Sequence, residues 1–149
     1  MDYNEIDGKA TTKQFNSQYN NRAEFIKCDV SNAEQLEHAF VHTVNKYHRL
    51  DIVFNNAGIG ERTMWPDAIR SGSNIPGDWN SVIRIDLDAV INGTRLAVRE
   101  MMKLNDNGSN KNIIGVIINT ASVGGLHPMP FSPIYCMYIY IDKWILRVH

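Results

Sequence analysis

Apolar residues along this chain gather into separate stretches, and their spacing changes from one stretch to the next. Gly8 to Tyr19 (GKATTKQFNSQY) is polar with a weak helical pattern, and Asn20-Asn21 after it reads as a turn. Ala23 to Val30 (AEFIKCDV) has the look of a short strand ending near Asp29. Ser31 and Glu34 stand three apart as a capping box, with Ser31 as the expected N-cap. Leu36, Phe40, Val41 and Val44 then recur at helical spacing, so a helix is expected as far as Tyr47. Leu50 to Phe54 (LDIVF) is the next strand, and Ile59 to Gly77 is a loop rich in glycine and proline. From near Asp78, a stripe of Val82, Ile83, Leu87, Val90, Ile91, Thr94, Ala97, Val98 and Met101 predicts a helix of about 24 residues. Asn105 to Lys111 is a turn, and Ile113 to Ile118 is a β-branched run expected to be buried on both faces. The tail, Met137 to His149, carries no clear stripe and reads equally as helix or strand.

Helix, strand, helix, strand, helix, strand is the alternation of an α/β protein with a doubly wound parallel sheet. In such sheets ligands bind just beyond the carboxyl ends of the strands. Polar and small residues stand at each such end: Asp29-Val30, then Asn55-Asn56-Ala57-Gly58, then Asn119-Thr120-Ala121-Ser122. Tyr135 follows Ser122 by thirteen residues, across a loop holding Pro128, Pro130 and Pro133. A strand-end hydroxyl and a phenol returned by a stiff loop can meet on one substrate oxygen.

Composition narrows the field without naming a chemistry. The 149 residues suit one domain, and a net charge of −1 leaves no basic footprint for nucleic acid or an anionic membrane. No apolar run approaches the roughly 20 residues that span a bilayer. The polar, acidic start MDYNEIDGKA is no signal peptide, and Cys28 and Cys136 make no disulfide framework, so a cytoplasmic setting is expected. Asn92-Gly93-Thr94 and Asn107-Gly108-Ser109 match a glycosylation sequon as chance matches would. His38 and His42 share a helix face, with no third ligand spaced to complete a metal site.

Asn55-Asn56-Ala57-Gly58 after an apolar strand, Ser122 and Tyr135 thirteen apart, and Asp29 at a strand end together resemble the short-chain dehydrogenase/reductase family. Asp2-Tyr3-Asn4, Phe25 to Val30, Arg49 to Ile52, Val90 to Thr94 and Pro133 to Cys136 resemble one NAD-dependent group within it. The resemblance implies a Rossmann-like fold and hydride transfer between a secondary alcohol or ketone and nicotinamide. It implies Tyr135 as general acid/base and Ser122 as the group that orients the reacting oxygen. Asp86, in Ile85-Asp86-Leu87, takes the place of a family asparagine that supports a proton relay, and a solvated helix carboxylate is its other reading. Asn56, Ala57 and Gly58 are implied on the adenine-ribose side of the cofactor, with Asp29 and Val30 at the adenine. Asp2 is implied at the ribose hydroxyls, where a carboxylate favours NAD over NADP. A loop aspartate beside Ser31 and a disordered terminal aspartate are the other readings of Asp29 and Asp2.

The sequence departs from the family at several points. A phenol with a pKa near ~10 needs help to lose its proton, and the family supplies it from a lysine four residues on. Here that position is Ile139, and Lys143 lies eight residues past Tyr135. Gly58-Ile59-Gly60 is no dinucleotide fingerprint. The expectation is therefore an incomplete family domain over residues 1–136, with a divergent tail over 137–149. The first strand, the glycine-rich phosphate loop and the C-terminal strands are absent from it. Two strand positions then separate the strand at Phe25 from the strand at Ile52. The sheet must close up, stay open or take strands from a partner. Two functions remain open: an NAD-dependent oxidoreductase acting on a small hydroxy or keto compound, or an inactive fragment. A homo-oligomer through the helix at 79–102 is one expected partner; the inactive fragment would either fail to fold or join full-length subunits through the stripe at 82–101.

Overall fold

The structure, a computed structural model, describes residues 1–61, 79–106, 114–127, 129–139 and 145–148, with Asp67, Arg70 and Gly72 between them. Its centre is a pair of parallel strands, β1 (Ile52–Asn55) and β2 (Gly115–Asn119), with Ile52 opposite Val116 and Asn55 opposite Asn119. Both lie in the β-branched runs, which fit a pleated surface and leave polar residues at their carboxyl ends. The tail adds β3 (Ile145–Val148), antiparallel on the far edge of β2. The described sheet is thus β1-β2-β3, with β1 at one edge.

Helix α1 (Glu5–Tyr19) starts at Asn4, whose side chain accepts the Ile6 and Asp7 N–H groups, and stops at Asn20 in the left-handed region, φ 54°. It begins three residues before the expected start at Gly8. None of its residues is buried. It is held instead by Gly8, where the missing Cβ leaves room for the Phe25 ring. Asn16 adds a two-way bond to the Ala23 backbone at 2.9 and 2.7 Å. Helix α2 (Ala33–Tyr47) buries Leu36, Ala39 and Phe40 and ends at His48, φ 51°. Its N-cap is Asn32, which accepts the Glu34 and Gln35 N–H groups. Ser31, the expected cap, instead donates its Oγ–H to Asp29 at 2.7 Å. Serine and asparagine cap equally well, so adjacent candidates are settled by where the chain turns.

The expected strand at Ala23–Val30 does not form as such. Lys27 makes one isolated parallel bridge with Asp2, through Asp2 N–H to Ile26 C=O at 3.2 Å and Cys28 N–H to Asp2 C=O at 3.0 Å. A strand exists only where a neighbour shares its hydrogen bonds, and here the neighbour is a single residue.

The long helix is present but not uniform. α3 (Trp79–Ile83) passes into a π-helical turn (Arg84–Asp88) and then into α4 (Ala89–Asp106). Its buried face holds Val82, Ala89, Val90, Leu96, Ala97 and Met101, as the stripe predicted in part, but also Asp86 and Glu100. Ile91, counted in the stripe, is exposed. Glu100 is tolerated inside because Arg99 and Lys103 approach it at 2.7 and 3.1 Å. These partners outweigh its burial and hold its carboxyl below the usual range. Gly115 of β2 leaves the space that the Met101 side chain fills. The core of Cys28, Leu36, Phe40, Val53, Leu96, Met101 and Ile117 therefore lies between α2, α4 and one face of the strands. The turn expected at Asn105–Lys111 lies largely outside the described residues, as does most of the loop at Ile59–Gly77.

Candidate active site and cofactor cleft

The polar end of β1 is tied to its surroundings by side chains. Asn55 Nδ2 donates to Asn119 Oδ1 at 2.8 Å and to Thr94 Oγ1 at 3.3 Å, joining β1, β2 and α4. Gly93 makes this approach feasible, since a Cβ there would stand 2.5 Å from Asn55 Oδ1. One residue on, Asn56 Oδ1 accepts the Thr120 hydroxyl at 3.0 Å. The loop leaving β1 is then pinned from the helix: Asp86 Oδ1 accepts the Ile59 N–H at 2.9 Å. Asp86 is 4% exposed, so the solvated-carboxylate reading does not describe it. The π-helical turn carries this carboxylate, and single π turns recur where helices serve functional sites.

Ser122 and Tyr135 are brought into one neighbourhood by a glycine. Ser122 caps a short 3-10 turn (Val123–Gly125), accepting the Gly124 N–H at 3.2 Å. Tyr135 sits in α5 (Pro133–Ile139). A Cβ on Gly124 would lie 3.2 Å from Tyr135 Cε1, so the tyrosine ring rests against the turn that Ser122 starts. Both catalytic candidates are half-buried. Glu61 is a further member that the sequence did not reveal: its Oε2 accepts the Tyr135 N–H at 3.4 Å, and the residue is buried. A lone glutamate inside a glycine-rich loop carries no spacing that would mark it. Helix α5 includes Ile139, so the position four past the tyrosine is helical; Lys143 lies outside the described residues.

A cleft of about 1010 Å³ opens on the side of β1 away from β2. Asp2, Asp29, Val30, Asn56, Ala57 and Gly58, all six expected cofactor residues, line it. Its floor is apolar, with Leu36, Phe40 and Val53. Ser122, Tyr135 and Asp86 are not in its described lining, although Arg84 and Ile85 are. Asp29 holds itself in place by accepting both the Ser31 N–H at 3.0 Å and the Ser31 hydroxyl. Asp2 is exposed and accepts the Asn4 N–H at 2.8 Å. Cys28, in the wall, is fully buried, and that burial pushes its thiol pKa up. His42 of the earlier histidine pair lies 3.3 Å from Glu24.

Parallel strands under helices, with small and acidic residues around a cleft at their carboxyl ends, make this an α/β fold of the nucleotide-binding kind. Comparison with known proteins narrows it. The family model for short chain dehydrogenases matches residues 1–137. The 15-hydroxyprostaglandin dehydrogenases [NAD(+)] of Rattus norvegicus and Homo sapiens are each 36% identical over 112 residues, which is 75% of this chain and 35% of theirs. The 3beta-hydroxysteroid dehydrogenase 2 of Eggerthella lenta is 34% identical over 118 residues, 78% of this chain and 40% of the relative. A short chain dehydrogenase from Mycobacterium smegmatis superposes with a TM-score of 0.75 at 28% identity, covering 93% of this chain and 52% of that one. ElxO with NADP bound shares the fold, with a TM-score of 0.71 at 24% identity over 91% of this chain and 49% of its own. The chain belongs to the short-chain dehydrogenase family. It spans 35% of the length of the prostaglandin dehydrogenases it matches. Among the described residues, no helix is long and apolar enough to cross a membrane.

Proposed function

We propose that this chain carries the adenosine-side cofactor residues and the serine–tyrosine pair of an NAD-dependent oxidoreductase that interconverts a secondary alcohol and a ketone. The carrying observation is that all six expected cofactor residues line one cleft. The two acidic groups, Asp2 and Asp29, suit the ribose hydroxyls and the adenine amino group, and Gly58 allows close backbone approach. NAD is preferred over NADP because a carboxylate at Asp2 repels a 2′-phosphate. A pyrophosphate cradle of the strand–glycine-loop–helix kind is not found among the described residues, so the fit covers the adenosine half.

Bound NAD would supply the hydride acceptor. The chain's own groups would handle the oxygen and its proton. Ser122 would donate a hydrogen bond to the substrate oxygen and fix its position. Tyr135 would take the hydroxyl proton in oxidation and return it in reduction. Asp86 would act on the loop through Ile59, and Glu61 on the tyrosine through its backbone. The residue domain is proposed as 1–136, with 137–149 as an appended tail.

Ile139 favours a second reading, in which the chain is inactive by itself because isoleucine, not lysine, stands four residues past Tyr135. Calorimetric titration of the 149-residue chain with NAD, beside a thermal unfolding scan, separates the readings. Saturable NAD binding with weaker NADP binding is expected under the first. A cooperative unfolding transition with no NAD binding would overturn it. The single substitution Ile139→Lys should give no turnover without a phosphate loop; turnover would show that the loop was wrongly thought necessary.

A further inference from the structure

One turn of helix sends two charged side chains to two different loops. The π-helical turn closes through Ala89 N–H to Arg84 C=O, and its first and third residues are Arg84 and Asp86. Asp86 accepts the Ile59 N–H from the loop after β1. Arg84 reaches the other way: its guanidinium donates to the Ser31 C=O at 3.3 Å, on the turn that precedes α2. Residues 29–31 and 84–85 all line the cleft, so this bond joins two of its walls. Between them the lining is of three kinds. Val30 and Ile85 are half-buried aliphatic side chains. Asp29 is a carboxylate whose Oδ1 takes both bonds from Ser31, and with about four acceptor sites in all it has room for another donor. Arg84 is an exposed, planar cation held by a neutral carbonyl, which leaves its charge uncancelled.

We propose, resting on the cofactor reading that puts the adenine at Asp29 and Val30, that Arg84 is a specificity-determining residue: it lays its guanidinium plane over the outer face of a purine ring held between Val30 and Ile85. The chemistry of the slot selects a flat, electron-rich ring with an exocyclic amine. Aliphatic side chains take the ring's surface, and the carboxylate takes the amine. A guanidinium over the face of an aromatic ring is attracted by the negative charge of its π-cloud. Arginine suits this place better than lysine, because its planar group stacks while it goes on donating in its own plane, here to Ser31. Phosphate is the other common ligand of an arginine. It is disfavoured in this slot because Asp29 lines the same slot, and a carboxylate repels an anion. Both walls are bonded directly to each other through Arg84 and Ser31, so the slot does not depend on what flanks β1.

The test is a nuclear magnetic resonance titration of the full chain with adenosine and, separately, with AMP. Adenosine has the ring and no phosphate. The side-chain CH2 protons of Arg84 should move upfield with either ligand, because protons over the face of an aromatic ring are shielded by its ring current. Arg84→Lys keeps the charge and loses the plane, and it should weaken both ligands by the same factor, about three- to tenfold. Its unfolding midpoint should match that of the wild type, since the side chain is exposed. Equal affinity in Arg84→Lys and wild type, or no upfield movement, would overturn the proposal. So would a loss confined to AMP, because the guanidinium would then be reading phosphate. If the wild-type chain bound neither ligand, the cofactor reading would fall and the role of Arg84 with it. If it bound adenosine without the Arg84 effects, the cofactor reading would stand and the role of Arg84 alone would fall.

Discussion

The two edges of β1 are built by opposite means. Toward β2 the strand is fastened by a four-residue ladder, and Asn55 closes its end with bonds to Asn119 and Thr94. α4 packs so near on that side that Gly115 and Gly93 are needed to admit Met101 and Asn55. Toward the cleft, Ile52 and Phe54 are 64% and 59% exposed, and the far wall, anchored by Cys28 and one backbone bridge, carries surface ion pairs. The difference separates interactions that fix a backbone, which are shielded, from those that only tether it, which are charged and wet. Side-chain bonds gather at the first edge, and along the second no strand is paired among the described residues.

Substitutions should reproduce this asymmetry. Gly115→Val puts a branched side chain into the fully buried Met101 and should cost about 2–3 kcal/mol or more in urea unfolding. An unchanged midpoint would mean that β2 and α4 are not in close contact. Asn55→Ala leaves Asn119 and Thr94 without their shared donor, for a loss of about 1–3 kcal/mol. On the wet side, Lys46 first, and then Tyr47, hold the Glu24 carboxyl down at about 2. Its folded pKa is below its unfolded value, so the unfolded chain protonates first as pH falls. The contribution is complete above the ordinary glutamate range and is lost as pH drops toward 2. Comparing acid unfolding of wild type and Glu24→Gln checks this, and the variant should lack that part of the pH dependence. Ile52→Ala should change stability by less than about 0.5 kcal/mol, since the side chain is already in water. A larger loss would show that the open edge is covered.

The same contrast explains what the sequence could show. α2, β1, β2 and much of α4 were legible because each has enough apolar periodicity to specify a face. Val53, Ile117, Leu36, Phe40 and Met101 fall in the core as their runs require. Residues 23–30 have the composition of a strand, but pairing depends on a neighbour, and Asp2 provides one bridge. β3 was undecidable for the same reason: its partner is β2, some thirty residues earlier. The π-helical turn left no trace in the stripe, so Asp86 read equally as a solvated helix carboxylate and as the relay position that the resemblance implies. The six cleft residues were found from the family resemblance and meet in space. Glu61 had no such signal.

The pairing of Ile52 with Val116 also has a consequence in time. Sixty-four residues separate the two partners. At about 5–20 residues per second of synthesis, β1 waits roughly 3–13 seconds before β2 has even been made. Throughout that interval β1 has no strand beside it, and Cys28 with α2 must cover Val53. Nascent chains of this protein should therefore be clients of ribosome-associated chaperones, with release timed to the appearance of residues 115–119 and not to the completion of any helix.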